Sequence, residues 1–232
     1  MKYLFVFAHP DDESFSSGGT IAKLKKSGAV IKLITATKGE DGETNNICKK
    51  EDLGITREKE LRLAAKILGI DQIFFLGFID GTLNKIPKNI LKNKILGILK
   101  KEKPDIVITF DRNGGSNHPD HIAISKAATN AFMEYSKSAK KRVCFYHTAI
   151  PQSYLAKYRK SGLEYKAYGK MAGTADEEIT TVVDIKSTFS TKIKALKCHK
   201  TQQKDWERYL KRRKLVDLKK EFFRLTSENK IP

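Results

Sequence analysis

The stretch Ala8-His9-Pro10-Asp11-Asp12-Glu13 decides how the chain is interpreted, because it places polar, reactive groups directly after an apolar run. That run, Tyr3-Leu4-Phe5-Val6-Phe7, is typical of a parallel strand buried on both faces. A second cluster, Asn117-His118-Pro119-Asp120-His121, follows another strand-like run more than a hundred residues later. We interpret the rest of the chain as the scaffold that brings the two clusters together.

Strand-like and helix-like segments alternate along most of the chain. Amphipathic helices separate predicted strands at residues 3–8, 30–35, 72–76, 105–110, 142–146 and 180–185. This alternation predicts an α/β fold with a Rossmann-like, doubly wound, mostly parallel sheet in a three-layer α/β/α arrangement. In the common strand order 3-2-1-4-5, strands one and four are neighbours, and ligands bind at their carboxyl ends. The two polar clusters follow those two ends.

Residues 1–232 are predicted to form a single domain. A chain of 232 residues can bury one α/β core but is short for two, and it contains no repeat, low-complexity block or linker. Beyond residue 150 the alternation weakens. Residues 203–225 are predicted to be helical and heavily basic, so that residues 203–232 would form a basic helical C-terminus.

The formal net charge is +18, but the Lys and Arg residues are spread over every predicted helix. We expect a solvated, Lys-rich surface, and attraction to an anionic substrate or a membrane surface is the alternative. Because the cations form no single stripe, we do not expect nucleic acid to be a partner. The sequence leaves the oligomeric state open, and a homo-oligomer is one outcome.

The sequence also carries signals about location. No apolar run approaches the roughly 18 residues that cross a bilayer, and the N-terminus lacks the longer apolar region of a signal peptide. A cytoplasmic location is therefore expected. The three cysteines are odd in number and show no C-x-x-C spacing, which argues against both a disulfide framework and a thiolate zinc site.

The two polar clusters contain the ligand set of a catalytic zinc ion. Such an ion takes three protein ligands from His nitrogen and carboxylate oxygen and leaves a fourth position for water. His9 and Asp12 are three residues apart across a turn that contains Pro10, and His121 can supply the third ligand from the other loop. The predicted cofactor is therefore Zn²⁺, with another divalent metal as the alternative.

Three further residues are predicted to act in catalysis. Asp11 lies between two ligands in the sequence and is expected to face the open position, as the general base for the attacking water. His118 lies one helical turn before His121 and is expected to donate a hydrogen bond to the developing oxyanion. Asp120 is expected to fix the orientation and charge of His118.

The combination of Ala8-His9-Pro10-Asp11-Asp12-Glu13 with His118-Pro119-Asp120-His121 resembles the zinc-dependent N-acetylglucosaminyl deacetylases, the PIG-L/LmbE-like family. The resemblance covers residues 1–135 well and residues 184–202 thinly. Weaker similarities follow in the same order: Thr37-x-Gly39-Glu40-x-Gly42, Arg57-x-x-Glu60, Asp80-Gly81-x-Leu83 and Ala195-Leu196-x-x-His199-x-x-Gln202.

The resemblance implies a Rossmann-like fold without a dinucleotide, and no G-x-G-x-x-G follows the first strand. It implies an enzyme that removes an acetyl group from an N-acetylated sugar. The roles that it implies agree with those expected from the residues themselves: zinc binding by His9, Asp12 and His121, general-base catalysis by Asp11 and oxyanion stabilisation by His118.

The resemblance also implies that Arg57 contacts the substrate. The alternative is a surface arginine in the first helical turn, paired with Glu60. Between residues 150 and 180 no family signature is present, so we expect the variable, substrate-side region of the domain there. Four tyrosines in that region are expected to pack a small subdomain rather than to stack on a sugar: Tyr154, Tyr158, Tyr165 and Tyr168.

Three functions are consistent with the sequence. The first is zinc-dependent hydrolysis of the N-acetyl amide of an N-acetylglucosamine-type sugar or glycoconjugate. The second keeps the metal site and changes the bond, giving a zinc amidase that acts on another sugar-linked amide such as a thiol conjugate. The third is a catalytically inactive protein that binds an anion or nucleic acid, and the intact set of His and Asp residues argues against it.

Overall fold

The computed structural model describes residues 1–229, which form one seven-stranded sheet and seven α-helices. The strands are β1 (Lys2–Phe7), β2 (Val30–Thr35), β3 (Gln72–Phe75), β4 (Ile106–Thr109), β5 (Cys144–Ala149), β6 (Thr181–Asp184) and β7 (Lys220–Glu228). The helices are α1 (Asp12–Lys26), α2 (Leu53–Leu68), α3 (Lys88–Glu102), α4 (Pro119–Ser138), α5 (Gln152–Lys160), α6 (Phe189–Leu196) and α7 (Gln203–Lys211).

The strand order is β3-β2-β1-β4-β5-β7-β6, so the predicted order of the first five strands is confirmed. Those five strands pair in parallel, whereas β7 runs antiparallel to both β5 and β6. Helices α1, α2 and α6 pack against one another, and α3 packs against α4. The prediction of a doubly wound, mostly parallel, three-layer α/β fold is therefore confirmed, with β1 and β4 side by side.

The prediction of a basic helix through residues 203–225 is wrong beyond α7. The helix ends at Lys211, and β7 begins at Lys220 between two other strands. In β7, Glu221 and Phe223 are buried on one face, which is the period of two that a strand requires. Long-range pairing with β5 and β6 thus overrides the helix-like spacing of the local sequence. Residues 230–232 of the predicted C-terminal helix lie outside the described residues.

Helix α1 begins directly after the first polar loop. It starts at Asp12, so two acidic residues occupy its first turn. Gly19 then lies inside the helix, where a Cβ atom would sit 2.3 Å from Ile185 Cδ1. The glycine therefore allows a close approach of α1 to the residue that follows β6, and it does not mark a turn.

Two apolar clusters stabilise the fold. The larger one fills both faces of the parallel sheet and includes Phe5, Phe7, Phe132 and Phe145. The smaller cluster joins α5 and the loop after it to the segment between α7 and β7, and contains Leu155, Tyr158, Met171, Val216 and Leu218. Within residues 1–229, no helix is both long and apolar enough to cross a membrane. All three cysteines are unpaired, in agreement with the sequence. Assignment of residues 1–232 to a single domain stays a prediction.

Candidate active site

The first polar loop turns sharply between β1 and α1. Asp11 is the residue before the helix, and its φ of 105° lies in the left-handed region that residues with a side chain rarely adopt. Its backbone N–H donates to Glu13 Oε2 at 3.0 Å, and its carbonyl oxygen accepts from the N–H groups of Ser14 and Phe15. This unusual backbone geometry, held by the hydrogen bonds of its neighbours, is typical of functional sites.

The three predicted metal ligands lie close together. His9 Nδ1 lies 3.1 Å from His121 Nε2, and Asp12 Oδ1 lies 3.3 Å from the same Nε2 atom. His9 Nδ1 and Asp12 Oδ2 are 3.8 Å apart. Tetrahedral zinc with bonds of about 2.0–2.1 Å holds its ligand atoms about 3.3 Å apart, so these side chains fit such an ion.

Other histidine and carboxylate groups surround the three ligands. Candidate ligand atoms of His9, His118 and His121 lie within 4.8 Å of one another, and so do those of His9, Asp80 and Asp120. The donor set consists of nitrogen and oxygen atoms without sulfur, which suits zinc and other divalent ions of the first transition row.

His121 is oriented by the loop that precedes α4. Its Nδ1 atom donates to the carbonyl oxygen of Gly114 at 2.9 Å, which leaves the lone pair of Nε2 directed at the other ligands. The ring stacks on Phe110, with centroids 4.3 Å apart and planes 7° apart. Gly114 has a φ of +67°, and a Cβ there would lie 2.4 Å from His121 Cβ, so the position requires glycine. Burial and the positive charge on His9 lower the pKa of His121 to about 3.

His9 is oriented by two carboxylates on its other nitrogen. Nε2 lies 2.8 Å from Asp80 Oδ1 and 3.4 Å from Asp120 Oδ2. Burial opposes protonation of His9, but Asp120 and Asp80 outweigh it and raise the pKa to about 10. At a pKa of about 10, the His9 ring carries a proton on both nitrogens near pH 7. Since a metal binds neutral imidazole, an ion at Nδ1 would have to displace the proton on that atom. Carboxylates that hold the distal nitrogen of a ligand histidine are a common feature of metal sites.

Asp120 is fully buried and fixes the loop after β3. Its Oδ2 atom accepts from the N–H of Gly81 at 2.8 Å, and Oδ1 accepts from the N–H of Leu83 at 2.9 Å. The predicted pairing with His118 involves the backbone, because the N–H of Asp120 donates to His118 Nδ1 at 3.1 Å. The Asp120 carboxylate contacts His9 and two backbone amides, which differs from the arrangement that we expected.

His118 caps the N-terminus of α4, where Pro119 occupies the first turn as predicted. Because Nδ1 accepts the N–H of Asp120, the neutral ring carries its proton on Nε2. Burial and the neighbouring imidazoles of His121 and His9 lower the pKa of His118 to about 4. The neutral ring is therefore available near pH 7 as a hydrogen-bond donor through Nε2.

Arg57 lies buried beneath the first loop and is not the surface residue that we considered as an alternative. It donates to the carbonyl oxygens of Pro10 at 2.6 Å and Gly39 at 3.0 Å. It also forms an ion pair with Asp11 Oδ2 at 3.1 Å. Glu60, the alternative partner, instead accepts two hydrogen bonds from Thr201. Burial raises the pKa of Asp11 to about 7, although the Arg57 guanidinium opposes that rise.

The late segment near residue 200 supports the loop from behind. His199 Nε2 lies 3.1 Å from Glu13 Oε1, and both residues are buried. Glu13 accepts from Asp11 on its other oxygen, so a chain of contacts links this segment to Asp11. Burial opposes ionisation of both groups, but their pairing lowers the pKa of Glu13 and raises that of His199.

The predicted metal ligands, Asp11 and His118 open into one large cavity of about 1060 Å³. His9, Asp11, Asp12, His118 and His121 line one end of the cavity, as predicted for a shared site at β1 and β4. The tyrosines of residues 150–180 line it too, and Tyr158 also packs in the smaller apolar cluster. Among the described residues, His147 and His199 are buried in the fold and do not line the cavity.

Comparison with known proteins identifies the family to which this geometry belongs. Residues 4–132 match the PIG-L family, described as GlcNAc-PI de-N-acetylase, and this match spans more than half of the chain. The chain belongs to the PIG-L family. The resemblance inferred from the two polar clusters is thereby confirmed, and both clusters lie within the matched residues.

A relative of this PIG-L protein is the 1D-myo-inositol 2-acetamido-2-deoxy-alpha-D-glucopyranoside deacetylase of Saccharomonospora viridis. It is 33% identical over 228 residues, which cover 86% of this chain and 84% of the relative. The N,N'-diacetylchitobiose deacetylase of Pyrococcus horikoshii shares the fold, with a TM-score of 0.69 at 24% identity. That alignment covers 97% of this chain and 83% of the other.

The same fold also occurs in a protein with a different reaction. GalB of Pseudomonas putida KT2440, the 4-carboxy-2-hydroxymuconate hydratase, aligns with a TM-score of 0.72 at 19% identity and covers 99% of both chains. The fold alone therefore does not determine the reaction, which depends on the residues of the site.

Asp80 is the site residue that sequence reasoning missed. The motif Asp80-Gly81-x-Leu83 is a weak similarity to the family, and nothing in the sequence indicates that its carboxylate reaches His9. Its one signal is that Asp80 lies in the loop that leaves β3, at the same edge of the sheet as the two clusters. The contact itself depends on how that loop folds over β1.

Proposed function

We propose that this PIG-L protein hydrolyses the N-acetyl amide of an N-acetylglucosamine-type sugar or glycoconjugate, releasing acetate and the free amine. The main support for the proposal is that side chains from both polar loops line the same cavity. His9, Asp12 and His121, the candidate metal ligands, lie there beside Asp11 and His118. The names of its relatives support the same class of substrate.

The ligand residues suit zinc, and we propose zinc as the metal, with another divalent ion as the alternative. His9 would bind through Nδ1, His121 through Nε2 and Asp12 through its carboxylate. A zinc ion held there would supply Lewis-acid polarisation of the acetyl carbonyl and activation of water. Asp80 and Gly114 orient the two imidazoles from their far nitrogens, which keeps the ligand atoms in place before the ion arrives.

Asp11 is proposed to be the general base. With a pKa raised to about 7 by burial, its carboxylate can take a proton from the attacking water near neutral pH. The water oxygen then forms a bond to the acetyl carbon. The protonated Asp11 passes the same proton to the sugar nitrogen as the C–N bond breaks, so the products are acetate and the amine.

His118 is proposed to stabilise the oxyanion. Its ring is neutral near pH 7 and carries its proton on Nε2, because Nδ1 is occupied by the N–H of Asp120. A neutral donor of this kind can approach the carbonyl oxygen as negative charge develops on it. Asp120 is proposed to act by holding both His118 and His9 in position.

Arg57 is proposed to act mainly by holding Asp11. Its hydrogen bonds to Pro10, Gly39 and Asp11 engage two of the guanidinium nitrogens, and Nε has no partner within the described residues. The substrate contact that the family resemblance implies stays a prediction. We also keep the cytoplasmic location as a prediction, since neither the fold nor the relatives test it.

Acetate release from a panel of N-acetylglucosamine compounds tests the proposal. The zinc-loaded protein should release one acetate for each free amine formed, and Asp11→Asn should abolish turnover while retaining the metal. Asp52→Asn, at an exposed carboxylate outside the cavity, is the matched control and should keep full activity.

Three results would reject the proposal. Amine release from a sugar-thiol conjugate without deacetylation would favour the zinc amidase. Hydration of an unsaturated acid would indicate chemistry like that of GalB. Turnover of no compound, together with salt-sensitive binding to an anion or to nucleic acid and no bound metal, would favour the inactive binding protein.

A further inference from the structure

Glu13 and His199 form a buried pair behind the first polar loop that the proposed reaction does not use. Their exposed fractions are 1% and 0%, and His199 Nε2 lies 3.1 Å from Glu13 Oε1. Within the described residues, the lining of the cavity includes neither side chain, so neither is placed to contact a bound substrate. Because burial of such polar groups is unfavourable unless they are paired, each of the two requires the other.

Both oxygens of the Glu13 carboxylate are engaged. Oε2 accepts the backbone N–H of Asp11 at 3.0 Å. Oε1 accepts the hydroxyl of Ser14 at 2.5 Å and also faces the ring of His199. Because Ser14 and His199 hold the carboxylate on Oε1, the other oxygen stays directed at Asp11. His199 therefore fixes an acceptor that reaches the backbone of the proposed general base.

The peptide unit between Pro10 and Asp11 is held at both of its polar atoms. Its carbonyl oxygen accepts from Arg57 Nη2 at 2.6 Å, and its N–H donates to Glu13. Since a peptide unit is planar, these two contacts fix its orientation, and that orientation sets the φ of Asp11 at 105°. A residue with a side chain keeps such a φ only where its surroundings hold it. Loss of the Glu13 contact would let the peptide unit rotate and would displace the Asp11 carboxylate.

The segment that carries His199 is itself anchored to α2. Thr201 donates to Glu60, a buried residue of that helix, through its N–H at 2.9 Å and through its hydroxyl at 2.6 Å. Arg57 belongs to the same helix. Helix α2 thus holds the first polar loop twice, directly through Arg57 and indirectly through the segment of His199.

The candidate metal ligands of the same loop are held by different contacts. Asp12 Oδ2 accepts from the N–H groups of Ala8 at 3.2 Å and His9 at 2.8 Å. The pair that includes His199 reaches the loop instead through the N–H of Asp11. Its effect on the proposed base can therefore be separated by experiment from an effect on metal binding.

We propose that Glu13 and His199 are positioning residues for the deacetylation: the buried pair fixes the peptide unit before Asp11 and so keeps its carboxylate within reach of the attacking water. The inference rests on the proposed function and adds two residues to it. A displacement of about 1 Å at a reacting group can cost about 100-fold in rate, even when the substituted residue lies away from the chemistry. Removal of the pair should therefore lower kcat about 10- to 100-fold, with KM and zinc affinity within about threefold of the wild type.

The double variant Glu13→Met with His199→Leu removes the pair without leaving a buried charge, so it should be more stable than His199→Leu alone. Initial rates of acetate release give kcat and KM, and chelator competition gives the zinc affinity. NMR hydrogen exchange of the zinc-loaded chain reports on the Asp11 N–H, which should exchange about tenfold faster in the double variant. His199→Leu, measured well below its melting temperature, should lower kcat to the same extent.

Two further variants separate positioning from stability. His199→Gln, whose side-chain amide offers an N–H to Glu13 in place of the ring, should keep kcat and the slow exchange of Asp11 within about threefold of the wild type. Tyr135→Phe is the control for a lost buried hydrogen bond, because its hydroxyl donates to the carbonyl oxygen of Pro104 at 3.0 Å near the far end of α4. It should leave kcat, zinc affinity and the exchange of Asp11 unchanged.

A kcat lowered less than tenfold in the double variant would overturn the positioning role, as would a loss of kcat that follows an equal loss of zinc affinity. Failure of His199→Gln to restore kcat would overturn it too. Acetate release by the wild-type chain is read separately. If the wild type releases none while the Asp11 N–H exchanges faster in the double variant, the proposed reaction is rejected and the hold of the pair on Asp11 is kept. Acetate release with unchanged exchange keeps the reaction and rejects the hold.

Discussion

Replacement of Lys192 by methionine should destabilise the protein strongly, because it leaves a buried carboxylate without its cation. Lys192 and Glu221 are 1% and 4% exposed, and Nζ lies 2.7 Å from Oε1. Lys192 also donates to the carbonyl oxygen of Phe15 at 2.8 Å. Burial opposes the charge on Lys192, but Glu221 outweighs it and raises the pKa of Lys192, so this side chain stays protonated.

The expected magnitude follows from this burial. Removal of one member of a buried pair typically costs about 3–5 kcal/mol, since the remaining charge is left uncompensated. In a chain of 232 residues, about 1 kcal/mol shifts the melting temperature by about 2–4 °C, so the expected loss is about 6–20 °C. Glu221 keeps its hydrogen bonds from the N–H groups of Gly19 and Thr20, which places the effect toward the lower end.

Urea denaturation at pH 7 measures the free energy of unfolding, and two further variants serve as controls. Lys204→Met breaks an ion pair at 2.9 Å whose side chains are 70% and 71% exposed, and it should cost less than about 1 kcal/mol. The double variant Lys192→Met with Glu221→Gln should recover much of the loss, because no charge is left buried. A loss below about 1 kcal/mol in Lys192→Met, or no recovery in the double variant, would show that an uncompensated Glu221 charge is not what destabilises the variant.

Three further predictions address the glycine contacts, the metal site and acid stability. Gly19→Ala should lower the free energy of unfolding by about 1–3 kcal/mol, because its Cβ would overlap Ile185. Gly97→Ala, in α3 with open space around it, should raise that free energy by up to about 1 kcal/mol. Equal effects of the two variants in urea denaturation would contradict this prediction. Asp80→Asn should weaken zinc binding about 10- to 100-fold in a chelator competition, and an unchanged affinity would show that Asp80 does not orient His9. Burial and the charge of Arg224 lower the pKa of His147 to about 4, below the unfolded value near 6.5, so its contribution to stability is lost as the pH falls between those values. Between pH 7 and pH 5 the wild type should lose about 2 kcal/mol more than His147→Gln, and identical losses would refute the assignment.

The strand order and the location of the site could be predicted from the sequence because both depend on strong, local signals. Buried parallel strands are continuous apolar runs, and their carboxyl ends meet at one edge of the sheet. Two clusters of His and Asp after the first and fourth runs therefore had to lie close together once the strands paired. The contacts among His9, Asp12 and His121 agree with that expectation.

The details that the sequence could not supply depend on tertiary contacts. The pattern of β7 resembles a basic helix until β5 and β6 are present on either side. Nothing in the sequence indicates that Gly19 lies against Ile185. Arg57 resembles a surface residue, and only the folded loop shows that its guanidinium bonds two carbonyl oxygens and Asp11. Asp80 has no spacing relation to His9 that a reader of the sequence could use.

The charges that face the cavity likewise depend on tertiary contacts. The net charge of +18 suggested an anionic ligand as one alternative, but composition does not reveal which side chains face inward. In the fold, the first polar loop and its neighbours place carboxylates in the cavity, and lysines and arginines line the same cavity. Attraction to an anionic substrate therefore stays a prediction.

The metal dependence of the reaction can be measured by adding zinc stepwise to chelator-treated protein while acetate release from an N-acetylglucosamine glycoside is followed. Activity should rise linearly and saturate at one ion per chain, Asp11→Asn should bind one ion without activity, and His121→Ala should bind zinc weakly. Full activity in the metal-free protein, or in Asp11→Asn, would contradict the assignment of the two loops to a metal-dependent deacetylase site.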